Sequence, residues 1–162
     1  MIQYDFAPGN LPPGLHSALG HLVAASAQTE SALNYVISAL LGVSDNVGMT
    51  VTTNMTMPQR LSALRTAADL KLPQGSNQLQ QLLALVTRAD NAFSQRNKYV
   101  HRSWCRDQSG RLHLIKQIAR KRLEVQAEPA TVEEVESAYS EMLQVGLLLA
   151  SFPAAHGLSV WD

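Results

Sequence analysis

The stretch NQLQQLLALVTRADNAFSQRNKYVHRSW, residues 77–104, decides how this chain folds. Leu79, Leu82, Leu83, Val86, Ala89, Phe93 and Val100 recur at the spacing of one helix face. The run reads as a single long helix that begins near Ser76–Asn77 and reaches His101–Trp104. Near its end the apolar stripe breaks. Arg96 and Asn97 follow Phe93 by three and four residues, on the face that its neighbours fill with leucine and valine. The spacing therefore predicts that both point toward a core or an interface. A buried guanidinium without a partner costs several kcal/mol. Either a counter-charge meets Arg96, or the face opens onto a cleft that holds an anion.

The same periodicity organises the rest of the chain. A first helix is expected from Leu15 to Leu41, with Leu19, Leu22, Ser26, Leu33, Ile37 and Leu40 on one face and Gly42 at its C-terminal cap. GVSDNVGMTVTTNM reads as a loop. Thr56 and Gln59 have capping-box spacing and open a second helix that ends near Lys71, before the LPQGS turn. After the long third helix the texture changes. Residues 104–116 alternate as a strand, a turn at Asp107–Gly110 and a second strand; Leu123, Val125 and Ala127 continue as a third. Thr131 and Glu134 form another capping box and open a last helix, which is expected to stop before Pro153. The tail, SFPAAHGLSVWD, carries Trp161, which favours docking over disorder. The predicted fold is mainly α: a single domain over residues 1–162, a four- to five-helix bundle with a small β-hairpin, about residues 103–127, inserted before the last helix.

Composition sets the bounds. The 162 residues suffice for one sizeable core, and the 46% apolar content is that of a globular chain. No apolar run reaches the roughly 18–20 residues of a membrane span. MIQYDFAPGNLPPG has an acid and prolines where a secretory signal has basic then apolar residues. The single cysteine, Cys105, has no internal disulfide partner. Together these point to a cytoplasmic protein that does not engage a membrane. The net charge is zero but uneven. Ten of the 13 Lys and Arg lie between Arg88 and Arg122, opposed there only by Asp90 and Asp107, so that segment carries +8 and the remainder −8. The asymmetry fits either a phosphate-rich partner or basic residues that pair with acidic helices of the same molecule.

Around the broken stripe the candidate groups gather. His101 lies four residues after Asn97, within reach of its amide, which can fix the imidazole's orientation and tautomer. Arg96 and His101 are five apart, about 140° around an ideal helix. They converge only if the helix distorts or a second copy of the chain supplies one of them. On the first helix Glu30 falls on the apolar stripe, with Asn34 one turn on, which makes Glu30 a candidate counter-charge for Arg96. Lys98, Arg102, Arg106 and the run Arg120-Lys121-Arg122 are placed to hold a nucleic-acid backbone. Tyr99 and Trp104 either stack a base or pack in the core or hairpin.

R-N-K-Y-V-H, Arg96 to His101, resembles the signature of the HEPN superfamily: an arginine, a polar residue directly after it, and a histidine five to seven positions on. The trailing tryptophan, as in HRSW, is similar to one branch of these proteins. The layout is similar as well, with a polar or acidic residue inside a long first helix and the motif near the end of a later one. The resemblance covers about nine residues as motif and most of the chain as architecture. It implies a homodimer whose two motif copies line one cleft, and a metal-independent, cofactor-free endoribonuclease of toxin or defence type, with an antitoxin or other protein partner. His101 would serve as general acid or base and Arg96 would stabilise charge on the phosphate. Asn97 would orient one of them, and the product would be a 2′,3′-cyclic phosphate. Other members are non-catalytic, binding a nucleotide, RNA or protein as homodimers.

Other chemistries find little support. His16 and His21 are five apart and off one face, and His113 and His156 stand isolated, which argues against a metal site. Cys105 follows His101 by four but lies in no recognisable thiol-nucleophile context. No phosphate-cradling glycine motif occurs.

Overall fold

A computed structural model describes residues 4–120 and 122–158. Lys121 and Trp161, and the side chains of Arg120, Arg122 and Leu123, lie outside the described residues. The element order is β1 (Tyr4–Asp5), α1 (Pro13–Leu41), α2 (Asp45–Thr52), α3 (Met57–Lys71), α4 (Asn77–His101), β2 (Ser103–Asp107), β3 (Leu112–Arg120), β4 (Arg122–Pro129) and α5 (Val132–Ala155). The chain is thus mainly helical, with a small antiparallel sheet before the last helix. No helix among the described residues is long and apolar enough to cross a membrane.

The chain sorts into two compact units, Met1–Val23 with Ser94–Ser140 and Ala24–Phe93 with Glu141–Asp162. The divisions fall inside α1, α4 and α5. The first unit carries the sheet, in the order β1-β2-β3-β4, with every neighbour antiparallel. Its turn lies where the sequence places it. Asp107 Oδ1 accepts from the backbone N–H groups of Ser109 (2.8 Å) and Arg111 (3.0 Å), and Gly110 takes a positive φ of 81°. The sheet is one strand larger than expected, because the two-residue β1 is too short to leave a periodic signal and pairs only through Tyr4–Asp107 and Asp5–Arg106. Leu15, Leu22, Trp104, Cys105, Leu114 and Val135 fill this unit's core.

The second unit is helical, with Leu33, Val36, Leu61, Leu64, Leu82, Val86, Met142 and Leu149 buried in it. Small residues set its closest approaches. A Cβ on Gly146 would lie 2.5 Å from Thr29 Oγ1, so α5 and α1 meet there nearly backbone to backbone. The Thr29 hydroxyl lies 2.9 Å from Ala25 O of its own helix and 3.1 Å from Met142 O of α5. A Cβ on Gly48 would fall 1.8 Å from Ser38 Oγ, which seats α2 on α1.

Two expectations need correction here. The segment expected as a loop contains α2. Its glycine and threonines score poorly for helix, yet Ser44 caps it, and the hydroxyls of Thr50, Thr52 and Thr53 bond back to the carbonyls four residues earlier. The last helix does not stop before Pro153 but runs through it to Ala155. The ring removes one backbone donor less than a turn from the helix end, where Gly157 then terminates the chain's turn at a φ of 66°. Both expected capping boxes are present. Thr56 N donates to Gln59 Oε1 at 2.8 Å, and Thr131 and Glu134 exchange bonds of 3.1 and 3.2 Å.

Candidate active site

The last turns of α4 end in a side-chain brace. Trp104, the second residue of β2, folds back so that its indole N–H donates to Tyr99 O at 2.9 Å. That carbonyl belongs to the terminal turn, which has no helical donor of its own. The two rings stack with centroids 6.2 Å apart and planes 22° from parallel. Both are buried, at 5% and 8% exposure. Trp104 therefore offers no face to a base; it fixes the end of the helix on which His101 is the final residue.

At this braced end Arg96 and His101 meet within one chain. Arg96 Nη1 lies 2.9 Å from His101 Nε2 and donates to Asn97 Oδ1 at 3.1 Å. The helix is unbroken through His101. Neither distortion nor a second copy is needed for the meeting. Five residues rise about 7.5 Å along the axis, a span that the arginine side chain covers by lying along the helix surface. A guanidinium only donates. As a hydrogen bond this contact has Arg96 as the donor and Nε2 as the acceptor. Asn97 braces Arg96, not His101.

The inward orientation expected for the pair holds only in part. Arg96 is half-buried, in the row Ala92–Arg96–Tyr99, and its Nε is shielded without a partner among the described residues. Asn97 and His101 are exposed. Beyond Phe93 the buried position of the helix is Tyr99, against which Trp104 stacks, while Asn97 is exposed. Glu30, expected as the counter-charge for Arg96, has a partner on α3. Glu30 Oε2 accepts from Arg60 Nη1 at 3.1 Å, and Asn34 Oδ1 is shielded without a partner among the described residues.

The basic residues divide. Lys98 Nζ and Arg102 Nη1 reach the two oxygens of Glu128, at 2.6 and 2.7 Å. Those bonds, that from Lys98 foremost, hold the Glu128 carboxyl below its ordinary range. Arg88 is held by Glu141 at 2.9 Å. Three cations of the +8 segment are thus spent inside the molecule. Arg106 is half-buried, with its Nε shielded and unpartnered, and Arg111 and Lys116 form no ion pair among the described residues. Glu128 was not singled out in the sequence. The signal was the i, i+4 pair Lys98 and Arg102, which presents two cations to a single carboxylate.

A second polar cluster lies in the same unit's sheet. His113 is not isolated: its Nε2 lies 3.0 Å from Asp107 Oδ2, and Tyr4 meets the ring edge-on at 5.5 Å. The Ser109 hydroxyl and then His113 drive the Asp107 carboxyl far below its usual range. Cys105 is fully buried, and burial pushes its thiol up, away from the nucleophilic thiolate. Among the described residues no three His, Cys, Asp or Glu converge as metal ligands. Compared with known proteins, the chain matches no family model, no curated protein and no solved structure.

Proposed function

We propose that the chain is a HEPN-like, metal-independent endoribonuclease acting in the cytoplasm, with Arg96, Asn97 and His101 as its site. The observation that carries this reading is the 2.9 Å contact between Arg96 and His101 on an accessible, braced helix end. RNA brings its own nucleophile, so the protein need only move a proton and neutralise a phosphorane. Without substrate the guanidinium occupies the lone pair of His101 Nε2. A phosphodiester competes for that guanidinium, since a charged acceptor binds it more strongly than a neutral imidazole. Nε2 is then released to accept the 2′-hydroxyl proton. The O2′–P bond forms and the P–O5′ bond breaks. Arg96 stabilises the charge on the equatorial oxygens, and water protonates the departing O5′. The product is a 2′,3′-cyclic phosphate and a 5′-hydroxyl end. Asn97 holds Arg96 in register throughout.

Because one chain already brings the two groups together, the reading does not depend on the homodimer that the HEPN resemblance adds, nor on an antitoxin. The test is incubation of the purified chain with a mixed RNA pool in excess EDTA, beside Arg96→Ala and His101→Ala. Cleavage lost in both folded variants supports the enzyme. RNA retained in a salt-dependent way but never cut points instead to a non-catalytic binding protein of the same kind.

A further inference from the structure

A cavity of about 540 Å³ opens between α1, α2 and the end of α5, wholly within the helical unit and lined by none of the residues of the proposed ribonuclease site. Its size suits a small molecule. Its chemistry is one-sided. Gln28, Asn34 and Tyr35 of α1 and Asp45 of α2 line it, and the side chains of all four lack a hydrogen bond or ion pair among the described residues. Ser38 also lines it, but its hydroxyl is spent on Asn34 O at 3.0 Å. The lining holds one carboxylate and no cation. Asn34 Oδ1 is shielded and meets no donor, an arrangement that costs free energy until a donor arrives. The amide's terminal torsion is soft, so turning it changes which of its atoms faces the cavity that Asn34 lines. Met49 and two alanines supply an apolar wall, and Tyr35 supplies a ring face.

We infer that this cavity binds a small organic cation, an ammonium or guanidinium head on a short hydrocarbon body. Asp45 takes the charge and Asn34 Oδ1 accepts a head-group N–H. Tyr35 and Met49 cover the methylenes. Gly48 seats α2, which carries Asp45 and Met49, against Ser38 of α1: a Cβ there would fall 1.8 Å from Ser38 Oγ, so a larger residue requires Ser38 or α2 to shift.

Agmatine, which carries both head groups, is the probe, with glutarate as an anion of similar length. Titration into the full-length, isotopically labelled chain is followed by amide chemical shifts. The expected result is saturable binding of agmatine alone, with the largest shifts between residues 28 and 49. Asp45→Asn weakens it at least about tenfold, as loss of a charge-assisted bond does, and Asn34→Ala about threefold or more. His101→Ala binds as the wild type. Non-saturable agmatine shifts, shifts centred elsewhere, equal binding of glutarate, or an unchanged affinity in folded Asp45→Asn would each overturn the inference. The wild-type shift map decides it even should a variant fail to fold.

Discussion

Two helices of this chain break their apolar stripes with polar residues, and they resolve the break in opposite ways. On α1 the interruptions are Thr29, Glu30, Asn34 and Ser38. Thr29 and Ser38 turn their hydroxyls onto carbonyls of their own helix, Glu30 takes Arg60, and Asn34 keeps an unpartnered oxygen. On α4 the interruptions are Arg96, Asn97 and His101, which bond to one another at the helix end. In the first set Thr29 and Ser38 are buried and Glu30 and Asn34 half-buried, and they serve helix contacts and a cavity wall. The second lies at a helix end where Asn97 and His101 are exposed and Arg96 is half-buried, and the Nη1 of Arg96 contacts both of the others. Polar residues on an inward stripe thus announce a constraint. Whether that constraint is packing or chemistry depends on what they bond to.

The sharpest way to break this contrast is to remove each set and read stability and activity separately. Arg96→Ala and His101→Ala should each lower RNA cleavage about 10²–10⁴-fold in EDTA. Because both groups lie at an accessible helix end, their melting temperatures should move little. Cleavage unaffected by either change would remove α4 from the comparison. The opposite pattern is expected of α1's contacts. Gly146→Ala and Gly48→Ala should each destabilise by about 1–3 kcal/mol, since a Cβ there meets Thr29 or Ser38 inside van der Waals distance. Elsewhere in a helix the same change stabilises, so calorimetry showing a gain would mean these helices part easily.

Smaller effects sharpen the picture of the site's surroundings. Glu128→Gln frees Lys98 and Arg102, which should tighten RNA binding a few-fold and steepen its salt dependence by up to about two phosphate contacts. Unchanged affinity and slope would show that the two cations never meet the RNA. Asp107→Asn tests the sheet. The folded Asp107 carboxyl titrates below its unfolded value, so its stabilisation is complete above about pH 4 and is lost as the pH falls further, toward the folded value. Wild type and variant should therefore converge in melting temperature below about pH 4 and differ above it. A gap that widens in acid would reverse the assignment.

The helices were legible because their periodicity is local: each apolar stripe and capping box lies within a few residues of chain. The order of α1, α3 and α4, the turn at Asp107–Gly110 and the opening of α5 at Thr131 all follow from such signals. What escaped had none. α2 is held by a glycine seated on Ser38 and by threonines bonding back, which propensity counts against a helix. β1 has two residues and exists only because β2 offers an edge. Pro153 is tolerated because of where it falls relative to Gly157.

For the site, the sequence by itself determined which residues break the stripe and that they lie at the end of a helix, since spacing of three and four residues is fixed by helix geometry. Only the tertiary structure decided their partners. Glu30 found Arg60, Lys98 and Arg102 found Glu128, and Trp104 turned back to brace Tyr99, leaving Arg96 to His101. Pairing depends on which side chains the fold brings within about 3 Å of each other, and that distance is not written in the periodicity of any one helix.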